Sequence, residues 1–438
     1  MLRDRVHLVP AGVEAWSKNQ LTAYVKFGRP KKLGLTRYRT NLQVIGLPDR
    51  TVYLAALNSG KKTLIDNLGP FDQVVPLLSP EVVKEPIVLI NPYHTKGTYD
   101  LSLQPWVKQV IVDSGGFQML RGTADFIDPD NLVEFYNQHA TICMPLDLPL
   151  PSDVEPYYFD AVTKMMRAND QYMEPLLEKG RVLALVSHGS NVSNRLRRID
   201  GLKRKSPVVA IAGLNTLVEG DSFQKIMTAL TNGLAVIDHV RKDTKYFHFL
   251  GVTSNFWFIL YAIMVGTGYV ERCGGDSVSF RMSSINGTYN YGLGGKGARS
   301  DDVVRTQLTP VGTTCRCPLC RTVTDQRLFL NTVVMECHNI WNAIETKNLI
   351  VDSVQVYLDG KCTLRTLADQ WLPAGRYELL ARAVSYLEEV IQKGYREWKP
   401  KKTKSLFERK TKHTPEGLGH YETIIRRYEE FHKKKFLT

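Results

Sequence analysis

An α/β fold, a (β/α)8 TIM-like barrel, is predicted by three observations in this 438-residue sequence. Short β-branched runs recur from Thr51 onward: "TVYLAAL", "PIVLINPY", "QVIVDSGG", "TICMPLDL", "VLALVSHG", "VVAIAGL" and "YFHFLGV". Amphipathic stretches such as "DPDNLVEFYNQH", "DAVTKMMRANDQYMEPLLEKG" and "DSFQKIMTALTNGLAVIDHVRK" lie between several of them. Several runs end in a polar or glycine residue, namely Asp113, Asp147, Ser187 and Gly213. Continuous apolar strands alternating with helices imply parallel strands covered by helices. In a barrel the C-terminal strand edge is where a site is built. A doubly wound open sheet is the alternative, weakened because no G-x-G-x-x-G follows the first strand.

The chain divides by composition. Residues 1–50 are basic and irregular and read as an arm containing "FGRPKKLGLTRYR"; residues 51–300 carry the barrel. Residues 301–345 hold the clustered cysteines and read as a metal-binding subdomain, and residues 346–438 read as a helical, basic C-terminal extension. At 43% hydrophobic and 23% charged residues the composition is that of a globular protein. The opening apolar stretch is too short for a signal peptide and no run approaches a membrane span, so a cytoplasmic protein without a membrane partner is expected. Net charge is +13, and the stretch from Lys393 to Thr438 holds 14 Lys/Arg against 6 Glu. Interleaved aromatic residues there fit a polyanion-facing surface, with a merely solubilising terminus as the alternative.

Chemistry-bearing residues fall in four places. In "VDSGGFQ" a carboxylate (Asp113), a hydroxyl (Ser114), two glycines and a ring (Phe117) follow an apolar run. This is either a strand ending in a turn, or a place where a flat ligand approaches the backbone, Asp113 handles a proton and Phe117 stacks. Cys315, Cys317 and Cys320 give C-x-C-x2-C, and His338 follows 18 residues on. Three thiolates and an imidazole make a closed, structural Zn2+ site, for which Cys337 is an alternative fourth ligand. Asp113, Asp147 and Asp276 each sit among small or apolar residues, where a carboxylate is costly to bury without a task. The glycine-rich segment from Gly274 lacks the Gly-Lys-Ser/Thr of a P-loop, which argues against ATP.

These motifs, in this order, resemble the tRNA-guanine transglycosylase superfamily. "INPYHT", "VDSGGFQ", "ALVSHG", "AIAGL", "FLGV" and "DSVSFRMSSINGT" are similar to its strand-end motifs, and C-x-C-x2-C with "HN" to its zinc subdomain. The match runs from about residue 51 to 345. The resemblance implies a (β/α)8 barrel with an inserted zinc subdomain and a base-exchange reaction. By position Asp276 resembles the nucleophile that attacks C1′ of a guanosine, Asp113 the acid/base residue, and Phe117 the ring beneath the base. Asp147, Ser187, Gly213 and Leu214, with Ser114, resemble the residues that bind the base. The glycines of "VDSGGFQ" are then expected to let the base approach.

The sequence also departs from that family. Its proline-threonine-arginine stretch after the nucleophile is replaced by "SVSFRM", and residues 1–50 and the chain beyond 345 have no match. This pattern is similar to the DNA-modifying branch, which exchanges guanine in DNA for a 7-deazaguanine such as 7-cyano-7-deazaguanine. DNA is therefore the expected partner, with tRNA the alternative, together with the free 7-deazaguanine base; a homodimer is compatible with the reading. A non-catalytic nucleic-acid-binding subunit is the reading from a different class. Arg272, Arg281, Lys296 and Arg299 are the candidate phosphate contacts beside Asp276.

Overall fold

The computed structural model describes residues 2–10, 43–46, 52–55, 87–92, 108–120, 122, 126–152, 154–214, 223–277, 283, 288–290, 297–299, 332–398 and 415–436. Within these ranges the side chains of 9–10, 43–46, 52–55, 117, 120, 277, 288–290, 297–299, 332–337 and 415–418 fall outside the description.

Parallel strands form the centre. β1 (Val6–Pro10) is followed by an antiparallel pair, β2 (Gln43–Gly46) and β3 (Val52–Ala55). Next come β4 (Ile87–Ile90), β5 (Gln109–Val112), β6 (Ile142–Cys143), β7 (Val182–Leu183) and β8 (Leu185–Ser187). β9 (Val208–Ile211), β10 (Tyr246–Phe249) and β11 (Arg272–Ser277) complete the series. One sheet runs β4-β5-β6-β7 and the other β8-β9-β10-β11-β1, every neighbouring pair parallel. Only Ala184 separates β7 from β8, and β1 lies against β4. A last antiparallel pair is β12 (Thr288–Asn290) with β13 (Gly297–Arg299).

The two faces of these strands bury different partners. Val88, Val110, Cys143, Leu185, Val209 and Phe247 join the large core shared with the helices. Their alternating neighbours Ile87, Ile111, Ile142, Val186, Ala210 and Tyr246 form a second core drawn from six strands and no helix. Because successive strand side chains point to opposite faces, one strand face packs on helices and the other packs on itself.

The helices connecting these strands carry local start signals. After the short α1 (Gly116–Leu120) comes α2 (Pro129–His139), whose Asp128 side chain accepts from Asp130 N ahead of Pro129. α3 (Glu155–Met173) packs against α4 (Val192–Leu202), which Asn191 caps and Lys203 ends in the left-handed region at φ 56°. α5 (Phe223–Val240) follows, then α6 (Asn255–Gly266), capped by Ser254. The sequence "FWFILYAIMV" is apolar all round, which a helix tolerates only when it is buried on every side; α6 lies between β1, β11 and α7 (Thr332–Leu358). α8 (Leu364–Trp371), α9 (Tyr377–Lys393) and α10 (Pro415–Phe436) end the chain. Among the described residues no helix is long and apolar enough to cross a membrane.

Three features differ from the composition-based division. Val6–Pro10, grouped by charge with an N-terminal arm, is a strand of the central sheet beside β11. "TVYLAAL" supplies an antiparallel hairpin strand instead of a parallel one. α10 is no appended tail: Tyr421, Ile424, Ile425 and Tyr428 are buried in the main core, and the helix packs on α3.

Candidate active site

Parallel pairing sends every strand's C-terminal end to one edge, and polar residues gather there. Ile90 pairs with Val112, so the next residues, Asn91 and Asp113, stand side by side; Asn91 Nδ2 donates to Asp113 Oδ2 at 3.0 Å. Ser114 Oγ donates to Asp147 Oδ1 at 3.0 Å, and Asp147 Oδ2 is hydrogen-bonded to His188 Nε2. On the other flank Asp276 Oδ1 accepts from Gly251 N at 2.7 Å and contacts His248 Nε2 at 3.1 Å. Among the described residues the second oxygen, Oδ2, has no partner.

The carboxylates of Asp147 and Asp276 are close enough to act on that of Asp113. Burial first, and then the negative charges of Asp147 and Asp276, push the Asp113 carboxyl up to about 6. Bonds from Gly115 and Asn91 oppose that rise without cancelling it. This has a consequence for stability. Between the unfolded value of 3.8 and about 6, the folded state keeps a proton that the unfolded chain has released. Stability therefore falls as pH rises through that window, by on the order of 2 kcal/mol after allowing for partial exposure to water. Asp113→Asn should be more stable than the parent above pH 6. The two should converge below about pH 4, and urea unfolding at pH 4 and pH 8 would check this.

Glycines make the approach of these groups feasible. Gly115 has φ +85°, in the left-handed region. A Cβ on Gly116 would lie 2.5 Å from the carbonyl oxygen of Asp147 and 2.6 Å from its Oδ1. Gly116 thus admits the Asp147 segment. In "GGD" the crowding is from backbone as well: a Cβ on Gly274 would meet His7 O at 2.3 Å, and one on Gly275 would meet Val252 O at 2.3 Å.

Not every residue expected at the site reaches it. Ser187 is fully buried on the strand face opposite Val186, and its Oγ has no hydrogen-bond partner among the described residues. Its neighbour His188 makes the contact with Asp147. Gly213 has φ +70°, and a Cβ there would stand 3.7 Å from His188 Nδ1; Leu214 is buried in the main core. Arg272 begins β11, at the opposite end from Asp276. Its guanidinium lies over the Tyr246 ring, 3.2 Å from His7 Nε2, so it is not a phosphate contact beside the carboxylates. The side chains of Phe117 and Arg299, and all of Arg281, Lys296, Cys315, Cys317 and Cys320, lie outside the described residues. His338 is buried on α7, with Asn342 Nδ2 3.3 and 3.2 Å from its two ring nitrogens. No cluster of three or more His, Cys, Asp or Glu able to hold a metal occurs among the described residues.

Beneath the edge, buried charge fixes the loops. Arg195 donates to the carbonyls of Ser187 and Ala212, which ties β8 to β9 at their ends. Glu155 accepts from the backbone N–H of Ser190 at 2.9 Å. Burial lowers both Arg195 and Arg198 to about 10, with Glu155 acting against that change.

His188, His248, Tyr246 and Asn91 were not singled out in the sequence. A lone histidine in an apolar strand reads as core. The available signal was position: each histidine is two residues beyond an apolar residue that faces the inner core, Val186 or Tyr246. Compared with models of known protein families the chain matches none, and no curated protein is significantly similar to it.

Proposed function

We propose that the chain is a base-exchange transglycosylase that replaces guanine in DNA with a 7-deazaguanine through a covalent Asp276–nucleoside intermediate. The observation that carries this is the shared edge of Asp113, Asp147 and Asp276, with Asp113 raised to about 6 by its burial and by the charges of the other two. When a carboxylate is the first nucleophile a glycosidic carbon is displaced twice with inversion each time, so the new base enters on the face that guanine left. Asp276 Oδ2 forms a bond to C1′ as the C1′–N9 bond breaks, and guanine leaves with the electron pair and takes up a proton. N9 of the incoming base then attacks C1′, loses its own proton and releases the carboxylate. Asp113 holds or yields a proton near neutral pH, which suits it to serve the base in both steps. Asp147, held by Ser114 and His188, and Gly213, near His188, would meet the base edge.

The self-packed inner face, β7 running into β8, and β1 lying against β4 support closure of the strands into an eight-stranded barrel. The donor set of Cys315, Cys317, Cys320 and His338 suits a structural Zn2+ that leaves no position open to substrate. Elemental analysis should find one zinc per chain, and chelation should lower the melting temperature instead of causing reversible inhibition. Absence of stoichiometric zinc would end that assignment.

DNA is preferred to tRNA because "SVSFRM" replaces the segment with which the family holds an anticodon loop. A guanine in duplex must rotate out before its C1′ is reachable, at a cost of a few kcal/mol that phosphate contacts offset. Arg281, Lys296 and Arg299 remain the candidates for them. Labelled 7-cyano-7-deazaguanine, offered with guanine-containing duplex DNA and with unmodified tRNA, should enter the DNA. Label in tRNA alone would overturn the DNA assignment while leaving the chemistry in place.

A further inference from the structure

Tyr246 and His248 share one side of β10, since side chains two apart on a strand lie on the same face. Phe247 and Phe249 belong to the core shared with the helices, whereas Tyr246 joins the inner core. His248 is fully buried and lies across from Gly274 in register. Its Nδ1 is 3.0 Å from Tyr246 Oη and its Nε2 is 3.1 Å from Asp276 Oδ1.

The chemistry of the partners fixes the proton. Asp276 Oδ1 already accepts the Gly251 N–H at 2.7 Å, and a carboxylate oxygen can only accept from a second donor. Nε2 therefore carries the ring hydrogen. On a neutral ring Nδ1 is then bare, and Tyr246 Oη is the donor there. Two donors, one on backbone and one on a fully buried ring, thus hold a single oxygen of Asp276.

Resting on the transglycosylase reading, we propose that His248, held in its Nε2–H form between Asp276 and Tyr246, is a positioning residue that aims the Asp276 carboxylate at C1′. The tethered Oδ1 sets the plane of the carboxylate, and Oδ2, with no partner among the described residues, is the attacking atom. A ring present only to fill the core would need neither contact. The chain Tyr246–His248–Asp276 is directional, each donor facing one acceptor.

The test uses the full-length protein, guanine-containing duplex DNA and labelled 7-cyano-7-deazaguanine. His248→Phe should lower kcat about 100-fold, the scale of losing one fixed donor at a reacting group. KM for DNA should stay within about twofold, since a ring buried beneath the site touches no polynucleotide. His248→Gln places an amide N–H where Nε2 stood and should recover most of that loss. Tyr246→Phe removes one oxygen only, and should reduce kcat several-fold even where His248→Phe does not fold. Independently of turnover, nitrogen-15 spectra of histidine-labelled protein, assigned with His248→Gln, should show Nε2 protonated and Nδ1 bare. In Tyr246→Phe Nε2 should stay protonated, because Asp276 Oδ1 still faces it, while the Nδ1 resonance shifts as its hydrogen bond is lost. A wild-type Nδ1–H form would overturn the proposal. So would an undiminished kcat in His248→Phe, or a loss that His248→Gln does not reverse, which marks mere packing. A wild-type protein that exchanges no base yet shows the Nε2–H form overturns the transglycosylase reading and this role together, leaving only the tautomer.

Discussion

Asp276→Asn is expected to abolish base exchange, lowering kcat by at least about 10^4-fold, because residues that act as a unit with the reacting bond lose most of their effect when one is removed. The amide is nearly the same shape as the carboxylate. Its oxygen can still accept the Gly251 N–H that Asp276 Oδ1 accepts at 2.7 Å, so the strand end should keep its conformation. What it loses is the charge and lone pair needed to attack C1′. DNA affinity should change little, since the phosphates are held elsewhere. Circular dichroism and a melting curve alongside the kinetics separate lost chemistry from lost fold. Residual turnover near that of the parent would remove Asp276 from the mechanism.

Removing residues 399–438 is expected to unfold the protein, where the charge of that stretch alone would suggest only weaker binding to a polyanion. Four apolar side chains of α10 are buried among the described residues: Tyr421, Ile424, Ile425 and Tyr428. At roughly 1.5–3 kcal/mol each their burial is worth on the order of 6–12 kcal/mol. That rivals the whole stability of an ordinary domain, about 5–15 kcal/mol. Tyr428 Oη also accepts from Ile127 N at 3.1 Å and donates to Ile127 O at 3.0 Å. His432 Nε2 contacts Asn169 Oδ1 at 2.8 Å, and Asn169 Nδ2 donates to Leu146 O, one residue before Asp147. Loss of the helix therefore reaches the site itself. A folded, fully active truncated protein would contradict this packing role. The contribution of charge is better read from neutralising the exposed Lys433 and Lys434, which leaves the buried face intact.

That helix shows how sequence and structure part company. Residues 421, 424, 425 and 428 follow the i, i+3, i+4, i+7 spacing of a buried helical face. The surrounding lysines and arginines dominate any count of charge and hide it. The parallel strands were legible because a strand covered on both faces must be apolar along its length, as in "PIVLI" and "VVAI". Asp113, Asp147 and Asp276 were legible because a carboxylate at the end of such a run is costly without a partner. Direction was not legible. Ser187 and His188 are adjacent, yet only His188 turns to Asp147, and which of them does so depends on the strand's facing. Arg272 is four residues from Asp276, but along a strand that is about 13 Å, enough to put it at the far end of β11. The glycines beside Asp113 and Asp276 announced close approach without saying of what; neighbouring chain segments are what come near.

The most direct measurement is the identity of the residue that carries the nucleoside. Guanine-containing duplex DNA, incubated with the protein in the absence of an incoming base and quenched under denaturing conditions, should yield a covalent protein–DNA adduct. After nuclease and trypsin digestion the added deoxyribose mass should lie on the peptide Cys273–Arg281, at Asp276, and should be missing from Asp276→Asn. An adduct on the peptide Gln109–Arg121, which carries Asp113, or exchange proceeding with no protein-bound nucleoside at all, would contradict the covalent role of Asp276.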